Sequence, residues 1–472
     1  MQKMSVLLLC CSAPLFSFSQ NTKGGLLPAL PQVQQPATTA PYSYVQPAPA
    51  VTIGSNASHI NNIPGQQQPG PTAISETERN KQEQPEREIQ YTRLRHTDRL
   101  PKRTIRDADL DTVFGNPAVI SQDIYVDTKS FWDALVVLTD MSNGNRKFSL
   151  TEAIYTVENA YFRNELNREQ FFTAIISYAG LVKQIMNRNQ LDESNNLAKN
   201  YGIQKLFEQA NDYTSYSTGK IITVPKLEYD FTDFMGDSSH AQMFVSKLIS
   251  TGKGQCHSMP LLYLAVAEQL NAQAYLSLAP EHSFIRFSDD DGSFYNYETT
   301  NGSIVSDNWM LQSGYITTAA IKNKIYLDTL SQKQLLALCI YDLAMGYIYD
   351  HGYDGFTETA LKYAMPLDPN GIQGNIMLGN FWAAKTRKVI GYYHLQTKEQ
   401  FESNPIAKAM QRKMLQAYDI IDGLGYQQMP KEAYVAWLQM VNEEKEKQDQ
   451  QLLQQHLDYM MKKNKVTLTP KQ

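Results

Sequence analysis

Long apolar runs, an excess of basic charge and abundant cysteine are all missing from this chain of 472 residues. Beyond the first nineteen residues no stretch reaches the roughly eighteen uninterrupted apolar residues that a membrane span needs, so no transmembrane segment is expected. With 43 basic against 48 acidic residues and no long Lys/Arg run, nothing draws in a phosphate backbone, and nucleic acid is not an expected partner. There is no Gly-Lys-Ser or Gly-Lys-Thr phosphate loop, no Gly-x-Ser-x-Gly elbow and no dinucleotide fingerprint. No cofactor is expected. Only 4 cysteines are present, and no second Cys/His pair follows Cys256-His257 at ligand spacing, so no metal is expected either.

The opening "MQKMSVLLLCCSAPLFSFS" is Lys3, a short apolar core and small residues at Ser17 and Ser19. That is the layout of a secretory signal peptide over 1–19, with cleavage before Gln20. The expected location is exported, periplasmic or extracellular. Lipid attachment at Cys10 or Cys11 is the weaker reading, because Leu9 and Cys10 stand where small residues normally precede such a site. Cleavage would leave Cys256 and Cys339. Cys339 lies in the helical pattern "QLLALCIYDLAMGY", where a buried free thiol behaves as a small hydrophobe; this argues against a disulfide between the two.

Residues 20–104 are rich in Gln, Pro, Ala and Thr and then in mixed charge, too polar to offset the entropy of ordering, and read as a disordered leader. A helical subdomain is expected over 105–219. Within it "TKSFWDALVVLTDMSNG" starts at a Thr128 cap and stops near Gly144, and "SLTEAIYTVENAYF" opens with Ser149 and Glu152 in capping-box spacing. Over 220–328 the pattern mixes. "KIITVPKLEYDF" is extended, "SSHAQMFVSKLIS" is helical with His240 on a solvated face, and "QAYLSLAP", "HSFIRFS" and "SFYNYETT" alternate as antiparallel strands around the turn "DDDG". Helices return over 329–440, where small and aromatic residues around "LDPN" suggest tetratricopeptide-like pairs. The tail over 441–472 is charged and helical.

The chemistry concentrates at "GKGQCHSMPLLYLAVAEQL", residues 252–270. A thiol ionises more readily at a helix N-terminus, and Cys256 stands at that end of a long apolar helix. Gly252 and Gly254 leave its approach open, and backbone N–H groups around it could hold an oxyanion. A nucleophile needs a base and a group to orient the base. His282 opens one strand and Glu298 lies on the next, so in a hairpin both could face the helix carrying Cys256. Asn296 shares the strand face of Glu298 and is the fallback orienter. Tyr295 and Tyr297 alternate with them and are expected on the opposite face. His257 reads as a polar helix-start residue.

"GQC" opening a helix, "LNAQAYLSL" leading out of it, then His282 and "FYNYETTNG", resemble the core of the transglutaminase-like superfamily of papain-related enzymes. Glu298 stands where aspartate is commoner, and Thr299 where proline is common. The resemblance implies an α+β fold with Cys256 as nucleophile, His282 as general base and Glu298 as orienting acid. It further implies acyl transfer through a thioester on a protein or peptide substrate, ending in hydrolysis or transamidation. With its flanking helices the chain looks most like bacterial members fused to tetratricopeptide-like repeats, whose C-terminal helices would offer a surface to a protein partner. The competing expectation is a binding scaffold that keeps the fold without the catalysis.

Overall fold

A computed structural model describes residues 122–440 and residue 443, apart from 216, 217, 237, 238, 290, 313 and 314. The signal peptide expected over 1–19, the leader over 20–104 and, save residue 443, the tail over 441–472 lie outside them. The described residues form a mixed α+β fold, predominantly helical, with a four-stranded antiparallel sheet.

Helix α1 (Gln122–Ser142) gives way to Gly144, whose φ of 77° ends the helical path. Thr128 is buried inside this helix and does not cap it. A threonine hydroxyl can bond to a carbonyl one turn back, so the residue type alone does not fix a helix start. Helix α2 (Leu150–Tyr161) is capped as its sequence predicts, Ser149 accepting from the Glu152 amide at 3.3 Å. The rest of that helix end is satisfied from a distance. The Glu268 carboxylate accepts from the amides of Leu150 at 2.9 Å and Thr151 at 3.0 Å and from the Ser149 hydroxyl at 3.1 Å. Glu152 turns outward to pair with Arg168. Helices α3 (Arg168–Arg188) and α4 (Asn196–Glu208) follow, then the hairpin β1 (Asn211–Thr214) and β2 (Ile221–Val224).

Strand β3 (Glu228–Tyr229) lies parallel to β4 (Lys253–Gly254), which follows a 3-10 turn (His240–Met243) and helix α5 (Val245–Thr251). Next comes α6 (Ser258–Leu270), apolar all round and buried along nearly its whole length, as a central helix must be. Pro260 fits there because the first turn of a helix needs no amide donor, and Asn271, left-handed at φ 48°, closes the other end. Fully burying a side chain such as Leu262 contributes about 2 kcal/mol, and this helix supplies several.

The sheet runs β5 (Tyr275–Ala279), β6 (His282–Ser288), β7 (Phe294–Glu298), β8 (Ser303–Val305) in sequence order, all antiparallel. Pairing of Ala279 with His282 leaves Pro280 and Glu281 as a two-residue turn. After the short helices α7 (Asp307–Leu311) and α8 (Thr318–Lys322), the long α9 (Gln332–His351) returns to pack on α1 and α2. Phe131 of α1 meets Tyr347 of α9 edge-on at 5.4 Å, and one buried apolar cluster runs from Phe131 to Leu438. Helices α10 (Gly355–Ala364), α11 (Ile372–Tyr392), α12 (Lys398–Ser403) and α13 (Pro405–Leu424) complete the array. Residues 431–440 are again helical. Among the described residues no helix is long and apolar enough to cross a membrane.

Glu268 links α6 to the start of α2 through charge-assisted hydrogen bonds to three successive residues. Replacing it with Ala should cost about 2 kcal/mol, the scale of a lost cap plus stranded buried donors. Urea unfolding of the two proteins would register this as a lower midpoint at unchanged slope.

Candidate active site

The turn before α6 is built by its glycine and glutamine. Gly254 is sheet-paired through β3 and has no room for a side chain: a Cβ there would stand 2.6 Å from Ser258 Oγ. Gln255 then folds over the helix end. Its Oε1 accepts from the amides of His257 at 2.9 Å and Ser258 at 3.0 Å, while Nε2 donates to the Gln242 carbonyl at 3.0 Å. The amides of His257 and Ser258, two of those expected to be open to an oxyanion, are therefore taken by the preceding side chain. Cys256 sits between these anchors at 0% exposure.

His282 and Glu298 meet as the strand spacing predicts. Ile285 pairs with Tyr297, so the pleat puts His282 diagonally across from Glu298 on one face of the sheet. His282 Nε2 lies 2.6 Å from Glu298 Oε2. The other carboxylate oxygen accepts from the Thr300 amide at 3.1 Å and the Thr300 hydroxyl at 2.8 Å, which locks its orientation. Thr300 is a positioning residue that motif reading passed over. His282 Nδ1 is left buried without a conventional hydrogen-bond partner, and Cys256 is a neighbour whose hydrogen bonding and charge act on the imidazole. Burial disfavours the imidazolium, but the Glu298 carboxylate and then Cys256 outweigh it, and the His282 pKa is raised well above the usual range. The structure brings all three expected residues together.

Their approach differs from the expected one. Helix α6 packs on the other face of the sheet, where Tyr263 lies 5.8 Å from Tyr297 and the Ser283 hydroxyl donates to the Cys256 carbonyl. The tyrosine face is thus the helix-facing one. Cys256 reaches His282 at the end of the sheet, beside the β5–β6 turn, where its Sγ is 3.8 Å from the Glu281 carbonyl oxygen. A residue at the first position of a strand can be met from the rim, so strand alternation does not govern this contact. Glu281 holds φ at 54°, an uncommon conformation for a non-glycine residue.

Asn296 shares the face of Glu298 but stands opposite Arg286, and its Nδ2 donates to Asp307 at 2.7 Å. It does not orient the histidine. His257 is buried rather than a merely polar helix start, its Nε2 lying 3.2 Å from Asp342 on α9. His240 departs furthest from expectation. It is 4% exposed, packed among Tyr161, Phe244 and Tyr349, with both ring nitrogens unpartnered. Burial, with the nearby His257 charge, pushes its pKa down to about 3. Aromatic packing on three sides explains why a polar side chain left the solvated face. Cys339 and Cys256 are both buried, and neither is in a disulfide. No cluster of metal-ligating side chains occurs among the described residues.

Two aromatics far along the chain complete the site. Tyr434 Oη lies 3.2 Å from Cys256 Sγ, and Trp437 meets the His282 ring edge-on at a centroid distance of 4.5 Å. No local motif announced either. No protein-family model matches this chain, and neither curated proteins nor solved structures yield a match.

The raised pKa of His282 sets a pH test. A histidine whose folded pKa exceeds its unfolded one contributes stability that is fully present below about 6.5 and lost as pH rises through the folded value. The stability gap between wild type and Glu298→Gln should therefore be wide near pH 6 and narrow through the alkaline range. Denaturant midpoints measured from pH 6 to pH 10 would show it; a gap constant with pH would mean that Glu298 does not hold a charged imidazole.

Proposed function

We propose that this chain is an exported cysteine enzyme of transglutaminase-like type, acting on carboxamide or peptide carbonyls through a thioester. One observation carries the reading: a buried Cys256 beside an imidazole whose far nitrogen is held 2.6 Å from a carboxylate. That is the constellation a thiol nucleophile needs. Cys256 Sγ, deprotonated by His282, attacks the substrate carbonyl carbon. The tetrahedral oxyanion collapses, the C–N bond breaks, and His282 returns the proton to the departing ammonia or amine. The thioester then passes its acyl group to water, giving a carboxylic acid, or to a second amine, giving a new amide. Glu298 keeps the imidazole in the tautomer and orientation that serve both steps, with Thr300 fixing the carboxylate. The α9–α13 helices, read as tetratricopeptide-like pairs, would offer a protein partner its surface.

Full burial of Cys256 favours a second reading, a binding scaffold that retains the fold without the chemistry. Thiol reactivity separates the two. The alkylation rate of Cys256 by iodoacetamide, followed at that residue by peptide mapping, should show a limb below pH 7 that disappears in His282→Ala. A single limb near the free-thiol value of roughly 8.5, indifferent to His282, would remove the enzyme reading.

A further inference from the structure

Beyond α13 the chain is fastened to the core before it reaches the thiol. Gly425, left-handed at φ 85°, turns it. Thr317 Oγ1 donates to the Gly425 carbonyl at 2.7 Å, and Asn323 Nδ2 donates to the carbonyls of Gly423 at 3.1 Å and Leu424 at 3.2 Å. Tyr426 and Met429 are buried along the crossing. The 431–440 helix then presents Tyr434, Trp437 and Leu438, at i, i+3 and i+4, as one buried face, while Lys431, Glu432 and Met440 stay exposed.

That face lies against the candidate site. Tyr434 touches the Cys256 sulfur at 3.2 Å, stacks on Trp437 at 5.9 Å and lies 5.9 Å from Phe234. Trp437 covers His282 and is flanked by Trp309 at 5.5 Å. With both rings in place, Cys256, His282 and Glu298 are each at 0% exposure. An acyl group attacked by Cys256 needs its carbonyl carbon about 3–3.5 Å from the sulfur, a distance at which Tyr434 already stands. No carbonyl substrate can share that position with the phenol.

We propose that the 431–440 helix is an autoinhibitory cover, with Tyr434 and Trp437 filling the acyl-binding space so that the thiol is reached only when this one helix swings away. The proposal rests on the cysteine-enzyme reading and supplies its regulation. A single helix docked through one short face can open locally without unfolding the core. Leu438 and the Gly425 anchor direct its return.

Iodoacetamide alkylation at Cys256 in the full chain tests the cover directly, comparing wild type with Tyr434→Ala/Trp437→Ala. The double variant should react about tenfold faster or more while keeping a cooperative thermal transition, as expected when a local opening equilibrium is relieved. An unchanged rate with the transition intact overturns the cover, even where the His282-dependent pH profile survives. A faster rate whose pH profile ignores His282 leaves the cover standing and removes the acyl-transfer reading. Should the double variant fail to fold, hydrogen exchange on the unaltered protein decides. Backbone amides of 434–440 should exchange well ahead of those in α6; exchange of both only through a shared global opening overturns the proposal.

Discussion

The place of the thiol in the candidate site depends on how one helix begins. The Gln255 carboxamide takes two amides at the start of α6 and ties them to the Gln242 carbonyl, while Gly254 lets β4 approach to a distance at which any Cβ would collide with Ser258. Those contacts fix the Cys256 backbone between a sheet pairing on one side and a buried helix on the other. His257, the next residue, is in turn held to α9 through Asp342. A helix buried along nearly its whole length has little room to rotate, so the position of its first turn is transmitted to the thiol.

The histidine and carboxylate are positioned by a different rule. Strand alternation and antiparallel register bring His282 and Glu298 to one face, and Thr300 occupies the carboxylate oxygen that the imidazole leaves free. Two independent frames therefore converge, one set by a helix start and one by a sheet register. They meet at the β5–β6 turn, where the left-handed Glu281 stands beside the sulfur.

The strands, the central helix, the Ser149 cap and the order Cys256, His282, Glu298 were legible because each is encoded within a few residues. Period-two alternation, a Gly-Gln-Cys helix entry and capping chemistry are short-range signals. What could not be read depends on pairings across the chain. Glu268 completes a cap 118 residues away in sequence, Asp342 claims His257, and Phe244 with Tyr349 draws His240 inward. The face covered by α6 is not encoded locally either, since alternation states which residues share a side but not which side a helix will cover. Tyr434 and Trp437 sit in an ordinary amphipathic pattern, and nothing in that pattern names the surface it meets. In the same way Thr128 carries a cap-forming hydroxyl but lies inside a helix.

The Cys256–Tyr434 contact spans 178 residues. Such a separation places it among the slowest-closing contacts of the fold, because loop closure must be completed before the contact can contribute. A chain that emerges N-terminus first presents the thiol, the histidine and the carboxylate before helices α9 to α13 have been made. During synthesis the Cys256, His282 and Glu298 cluster is consequently made first and covered last. Any small electrophile that reaches the nascent chain meets Cys256 in a window that the finished protein has closed.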